Sequence, residues 1–221
     1  MDRYIDIRLL PDPEFAALVL MNALFAKLHR GLVDHGQGDV GVSFPDIQKR
    51  GGNLGARLRL HSSESALVRL MAIGWLQGMY DHIELRDIAE VPADAMHRPV
   101  RRVQAKSNPE RLRRRLMNRK GISHDKAAQA IPDSASERLA LPYVTLTSKS
   151  THQQFRLFIK HGPLVSTPAL GNFTHYGLSS GITTIPWFWP FFRLPSVSLI
   201  NQAVAGHAEK RVISSIRCIF L

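Results

Sequence analysis

The fold class of this 221-residue chain is determined by residues 4–33, YIDIRLLPDPEFAALVLMNALFAKLHRGLV. Its first residues alternate, with Ile5, Ile7 and Leu9 on one side, which is typical of a half-buried β-strand. Two prolines then break the strand. Beyond them the apolar residues recur three and four positions apart, which predicts a helix over 14–33 with one buried face. That face consists of Leu18, Met21, Phe25, Leu28 and Leu32.

The segments that follow complete a βαββαβ order. Arginines alternate with Leu58 and Leu60, which predicts another short strand, and Ser62 or Ser63 can cap a second helix. The predicted elements are strands at 40–44 and 57–61, a helix ending at Met71 and a strand at 83–88. This order is the ferredoxin-like pattern, so we expect an α+β protein whose first domain, ferredoxin-like and RRM-like, covers residues 1–94.

Residues 95–188 predict a smaller α+β domain with an arginine-rich helix and a β-hairpin. The helix begins near Ser107, which has capping-box spacing to Glu110, and ends near Lys120. The other predicted elements are an extended segment at 100–105, a short helix at 123–130, hairpin strands at 143–147 and 155–160, and a last strand at 173–178. Residues 189–221 form a C-terminal extension of unknown role, within which 212–221 could be a strand.

The charge of the chain is positive and concentrated. Lysine and arginine number 29 against 18 acids, a net charge of +11, and residues 97–120 alone have a net charge of +9. Concentrated positive charge is typical of nucleic-acid binding. The single cysteine, Cys218, excludes an internal disulfide. With no signal peptide and no apolar run long enough to span a bilayer, we expect a cytoplasmic protein without membrane contact.

The arginine-rich helix predicts an RNA or DNA contact. Its arginines at 111, 114, 115 and 119 share one face because they are three and four residues apart. A helix from 109 to 120 is about 18 Å long, which is sufficient to follow several phosphates across a groove. Upstream, Arg102 and Gln104 point the same way in an extended segment, and these residue types can read guanine and adenine edges.

The residues alone give weaker signals for catalysis. The ten histidines include no HxH or HExxH spacing, so we expect no metal and no cofactor. A metal-free route exists in RNA, whose 2′-hydroxyl attacks the adjacent phosphate once a base removes its proton. His29 is a candidate base, although a histidine of an amphipathic helix is the simpler interpretation. For Ser148 and Ser150 ordinary strand and turn chemistry is the simpler interpretation, and for Tyr176 and Phe155 it is a core position.

Several longer motifs resemble the type I-F CRISPR repeat-processing endoribonuclease, the hairpin-cutting subunit of the Csy surveillance complex. The resemblance extends over residues 1–188. The segments that carry it are Asp6-Ile7-Arg8-Leu9, Pro11-Asp12-Pro13-Glu14-Phe15, Lys27-Leu28-His29, Gly41-Val42-Ser43-Phe44-Pro45, Arg102-Val103-Gln104-Ala105-Lys106-Ser107-Asn108-Pro109-Glu110-Arg111-Leu112-Arg113-Arg114-Arg115-Leu116-Met117, Phe155-Arg156-Leu157-Phe158-Ile159, His161-Gly162-Pro163-Leu164 and Tyr176-Gly177-Leu178-Ser179.

This resemblance implies a role for each candidate. The arginine helix would enter the major groove of the repeat stem-loop, and the resulting crRNA would stay bound with other subunits of the complex. His29 matches the general base, Ser148 the residue that positions the ribose, and Tyr176 a residue that orients His29. The remaining matches are Ser150 near the cleavage site, Phe155 stacking on the terminal base pair, and Arg102 and Gln104 reading pairs at the foot of the stem. The products would be a 5′-hydroxyl fragment and a 2′,3′-cyclic phosphate or 3′-phosphate.

Two departures and two alternatives accompany the resemblance. Asn118 lies where the family helix tends to be basic, and residues 189–221 extend past the family's usual Pro186-Trp187-Phe188 end. A non-catalytic RNA-hairpin-binding subunit would bind the same stem-loop without cutting it. A basic DNA-binding or ribosomal protein would show no preference for a stem-loop over duplex DNA.

Overall fold

A computed structural model describes residues 1–47, 53–104, 109–132, 139–148 and 152–189. The chain divides into two compact units, Met1–Phe188 and Trp189–Leu221, and the elements described here belong to the first. In chain order they are β1 Arg3–Leu9, α1 Ala17–His35, β2 Gly41–Ser43, β3 Arg57–Ser62, α2 Glu64–Ala72, β4 Ile83–Leu85, β5 Ala89–Glu90, β6 Met96–Arg98, β7 Val100–Val103, α3 Pro109–Lys120, α4 His124–Ala130, β8 Tyr143–Thr147, β9 Gln154–His161 and β10 Ile185–Trp187.

The α+β class predicted from the sequence is confirmed, with four α-helices and antiparallel sheets among the described residues. The first sheet has the order β2-β3-β1-β4, and β5 also pairs with β1. A second sheet has the order β7-β9-β8, and β6 pairs with β10. None of the helices in the described part of the chain is long and apolar enough to cross a membrane.

Helix α1 packs across the first sheet and also contacts β8 of the second. The predicted buried face is confirmed except at Leu18, which lies in the first turn of the helix and is exposed. Leu20 and Leu24 are buried in addition. The side chain of Asn22 accepts a hydrogen bond of 2.9 Å from the main-chain N–H of Thr145, which ties the helix to β8. Helix α1 is therefore the element that connects the two sheets.

Strand β3 lies where the sequence predicted a strand, and all its residues are buried, the arginines among them. The guanidinium of Arg59 donates to both carboxylate oxygens of Asp6, directly opposite on β1, at 2.6 and 2.8 Å. It also donates to the carbonyl of Phe188 at 3.0 Å and lies 4.0 Å from the centre of that residue's ring. Paired and hydrogen-bonded in this way, an arginine can occupy an interior position.

The predicted last strand at 173–178 is wrong. Only an isolated bridge joins Phe173 to Ser179, and the residues between them form a tight turn. The cause is Gly177, whose φ of 68° is unfavourable for other residues, and where a Cβ would lie 2.5 Å from Val42. Strands β6 and β10 were not foreseen. The capping residue Ser107 and the segment 212–221 lie outside the described residues.

Candidate RNA-cleavage site

His29 lies near the end of α1, with a ring nitrogen that is free to accept a proton. Its Nδ1 is 2.8 Å from the main-chain carbonyl oxygen of His175. Because a carbonyl oxygen only accepts hydrogen bonds, Nδ1 must be the donor. In the neutral imidazole the lone pair is then on Nε2. The contact thus fixes the tautomer that a general base requires.

Tyr176 holds the same imidazole from one side. The two rings are stacked with centroids 4.2 Å apart and planes inclined by 15°. The tight turn around Gly177 positions both groups, since it presents the His175 carbonyl and the Tyr176 ring to the same histidine. The turn is anchored to the first sheet by the main-chain N–H of Val42, which donates to the carbonyl of Gly177 at 2.9 Å.

Four of the residues singled out in the sequence line one cavity of about 270 Å³: His29, Ser148, Phe155 and Tyr176. Ser148 directly follows β8, and Phe155 lies in β9 opposite Leu146. The main-chain N–H of Ser148 donates to the carbonyl of Gln153 at 3.0 Å, which closes the hairpin on this side. A base, a hydroxyl and two aromatic rings therefore meet although they lie far apart in the sequence.

Arg30 and Asp34 also line this cavity, although neither was predicted from the sequence. Arg30 directly follows His29, is exposed, and has no ion pair with any residue that the structure describes. Asp34 is one turn further along α1. In the sequence, Arg30 is a cation directly beside the candidate base His29. Adjacent helix residues do not generally share a face, so this spacing did not indicate a shared cavity.

Arg102 lies on β7 close to this cavity. Its guanidinium carbon is 5.9 Å from the centre of the Tyr176 ring. Its side chain is exposed, and so is that of Gln104, which follows the strand. Both remain accessible to a ligand at the edge of the cavity. Ser150, the remaining candidate from the sequence, lies outside the described residues.

Helix α3 has no buried residue and therefore lies on the surface of the protein. Arginines 111, 114, 115 and 119 are all exposed, whereas Leu112 and Leu116 are half-buried. Arg113 differs from these four arginines because it points inward and donates from Nε to the carbonyl of Ile131 at 2.7 Å, next to α4. The Arg114 side chain lies 3.6 Å from Glu110 in an exposed pair, which contributes little energy. The face is thus strongly cationic.

In the described part of the chain, no group of three or more histidine, cysteine, aspartate or glutamate residues has an arrangement that could hold a metal ion. Three histidines lie elsewhere in the protein with lowered pKa values. Burial is the largest cause for each of His61, His97 and His161. These residues are separate from the cavity, because none of them lines it.

Comparison with known proteins assigns the family. Residues 4–188 match the family of the CRISPR-associated protein Cas_Csy4. A CRISPR-associated endonuclease Cas6/Csy4 from Pseudomonas aeruginosa (strain UCBPP-PA14) is 54% identical over 188 residues, which are 85% of this chain and 100% of the relative. A protein of the same name from Escherichia coli (strain UTI89 / UPEC) is 47% identical over the same shares. The chain belongs to the Cas_Csy4 family, as its resemblance to the type I-F repeat-processing enzymes indicated.

Proposed function

We propose that this protein is an endoribonuclease that binds the stem-loop of a CRISPR repeat and cuts at the 3′ foot of the stem, giving mature crRNA. Family membership and the printed names of both relatives support the endonuclease activity. The cationic face of α3 supports an RNA partner. The observation that carries the proposal is the cavity in which a tautomer-fixed His29 lies with Ser148.

The cut that we propose is a metal-independent transesterification. Nε2 of His29 takes the proton of the 2′-hydroxyl, the 2′-oxygen forms a bond to the adjacent phosphorus, and the bond from phosphorus to the 5′-oxygen breaks. The leaving 5′-oxygen takes up a proton from water, and the protonated His29 returns its proton to the solvent, so the products are a 5′-hydroxyl and a 2′,3′-cyclic phosphate. The hydrogen bond to His175 keeps the proton on Nδ1 throughout the approach of the substrate.

The other groups around the cavity have supporting roles in this proposal. Ser148 positions the ribose that carries the attacking hydroxyl, and Ser150 acts near the same phosphate. The stacked ring of Tyr176 restricts rotation of the His29 imidazole. Arg30, exposed at the cavity and without a described ion pair, supplies positive charge where the phosphate becomes more negative in the transition state.

Recognition of the hairpin depends on a second set of residues. Phe155 stacks on the terminal base pair, and Arg102 and Gln104 read base edges at the foot of the stem. The exposed arginines of α3 hold phosphates along the major groove: Arg111, Arg114, Arg115 and Arg119. The proximity of Arg102 to Tyr176 supports this assignment, because it brings the residues that recognise base edges next to the residues of the cleavage cavity. After cleavage the protein keeps the hairpin and joins the other subunits of a type I-F complex.

The domain organisation that accompanies this function is also a proposal. Residues 1–94 would be ferredoxin-like, residues 95–188 an RNA-binding domain, and 189–221 an extension. The strand order β2-β3-β1-β4, with antiparallel neighbours, supports the ferredoxin-like assignment, because the first and third strands are the central pair.

The test uses the host's own repeat RNA, labelled and incubated with the protein in excess EDTA. We expect one cut at the 3′ foot of the stem, a cyclic phosphate on the hairpin fragment and a 5′-hydroxyl on the other fragment. Loss of cleavage in EDTA, with recovery on adding Mg²⁺, would contradict the mechanism. Tight hairpin binding without any cut under either condition would instead identify a non-catalytic hairpin-binding subunit.

A further inference from the structure

A second, larger concave surface lies beside the candidate site. It is a groove of about 740 Å³ between β7, the end of β9 and the loops that follow β9. Three cations line it, Arg101, Arg102 and Lys160, and no aspartate or glutamate does. The rest of the lining is mainly aliphatic, with the exposed Ile182 and Val165 among its residues, and includes two threonines. The groove is therefore apolar in its floor and positively charged on one side.

Two of the positive charges in this groove lower the stability of the folded protein. Arg101 and Lys160 are directly opposite each other on neighbouring antiparallel strands, and both are exposed. Like charges in such a cross-strand pair destabilise the sheet. Neither side chain has an ion pair with a described residue. A bound anion that lies across both strands would relieve this repulsion.

The groove begins at the residue that we assign to the foot of the stem. Arg102 lines the groove, and its guanidinium approaches Tyr176, which lines the cleavage cavity. The two strands of an RNA stem must separate at its foot. If the 3′ strand enters the cavity with His29, the 5′ strand leaves the stem beside Arg102, where the groove is the adjacent cationic surface.

We propose that this groove binds the unpaired RNA that precedes the hairpin on its 5′ side. Phosphates would contact Arg101 and Lys160, and bases would lie against the aliphatic floor. Single-stranded RNA combines repeated negative charge with flat apolar faces, which fits a groove that has cations and no acids. The inference rests on the proposed function, because it uses the position of the stem.

The experiment measures affinity for hairpins made uncleavable by a 2′-deoxy nucleotide at the cut. One probe ends flush at the foot of the stem, one has a few unpaired 5′ nucleotides, and one has the same number on the 3′ side. For the wild-type protein the 5′ extension should raise affinity roughly three- to tenfold, as two exposed charge contacts would. The slope of log affinity against log salt should steepen by about 1.4, since each phosphate neutralised on a single strand adds about 0.7.

The gain is the affinity of one protein for the 5′-extended hairpin divided by its affinity for the flush hairpin. The double variant Arg101→Ala/Lys160→Ala should lose this gain. Arg156→Ala is the matched control and should retain it: Arg156 is an exposed cation of the same sheet that lies over the Tyr143 ring, 4.7 Å from its centre, and does not line the groove. A wild-type gain near one, a gain that survives in the double variant, or a gain from the 3′ extension alone would overturn the proposal.

Binding and cutting of the flush hairpin test the proposed function by themselves, so its failure can be distinguished from failure of the groove proposal. Binding and cutting of the flush hairpin without a 5′ gain would refute the groove alone. If the 5′ gain is absent but an acidic peptide protects the groove from modification of Lys160 by an amine-reactive reagent, the occupant is a protein segment and the RNA proposal is wrong. Thermal unfolding of the double variant checks that it folds, and removal of the like-charge pair should not lower its stability.

Discussion

Replacing His161 with leucine should make the protein less sensitive to acid. His161 ends β9, and its ring lies edge-on to those of Phe44 and Trp187, with centroids 6.3 and 5.1 Å away. Both ring nitrogens are buried without a hydrogen-bond partner among the described residues. Burial, and to a smaller extent the charge of Arg98, lower the pKa of His161 to about 3. The folded protein therefore keeps this imidazole neutral.

The sign and size of the effect follow from proton linkage. An unfolded chain has an ordinary histidine with a pKa of about 6.5. Below that pH the unfolded state binds a proton that folded His161 does not, so stability falls as the pH falls from about 6.5 toward the folded pKa near 3. Between pH 7.5 and pH 5 this one residue should cost about 2 kcal/mol, because each pH unit below 6.5 contributes about 1.4 kcal/mol.

The assay is urea denaturation of the wild type and His161→Leu at both pH values. With an m-value of about 2.5 kcal/mol per M, the wild-type midpoint should fall by about 0.8 M more than that of the variant. His124→Leu is the control, because His124 is exposed and should leave the wild-type pH response unchanged. Equal losses in the wild type and His161→Leu would refute the reasoning.

Three further outcomes follow from other contacts. Asp6→Ala should lower the free energy of unfolding by about 3–5 kcal/mol, because it leaves Arg59 buried without its carboxylate. Arg30→Ala should slow single-turnover cleavage by roughly ten- to a hundredfold, since it removes positive charge from the reacting phosphate. A chain that ends after Phe188 should cut normally, whereas one that ends before it should be destabilised, since the Phe188 carbonyl and ring both contact Arg59.

The controls for these outcomes use the same measurements. Arg86→Ala is the control for Arg30→Ala: it removes an exposed arginine that pairs with Glu84 and does not line the cavity, so it should cut at the wild-type rate. A loss below about 1 kcal/mol in Asp6→Ala would mean that Arg59 finds solvent or another partner. Lost cleavage in the chain that ends after Phe188 would give the extension a role that the present account does not contain.

The fold was predictable where local pattern decides structure. Alternation predicted β1, and helical periodicity with a serine cap predicted α2, whose Ser63 side chain accepts from the N–H of Ala66. The burial of the β3 arginines was not predictable in the same way, because arginine in a strand ordinarily indicates a solvated face. Only the register that sets Asp6 opposite Arg59 makes burial possible, and register is not visible in either strand alone.

The candidate site shows the same limit. The cationic helix α3 could be found from spacing, because its four exposed arginines are neighbours in the sequence. The pairing of His29 with His175 and Tyr176 joins residues almost 150 positions apart, 146 in the case of the hydrogen bond. No local pattern encodes such a contact, so the roles of His29 and Tyr176 came from family resemblance, and His175 was not predicted at all. The tight turn at Gly177, mistaken for a strand, is the feature that creates the contact.

The most direct test of the central claim is the single-turnover cleavage rate of His29→Ala in excess EDTA, measured beside its affinity for an uncleavable repeat hairpin. We expect the wild type to cut, the variant to lose cleavage by at least about a hundredfold, and both to bind the hairpin with similar affinity. Cleavage by His29→Ala at a rate near that of the wild type would show that His29 is not the general base.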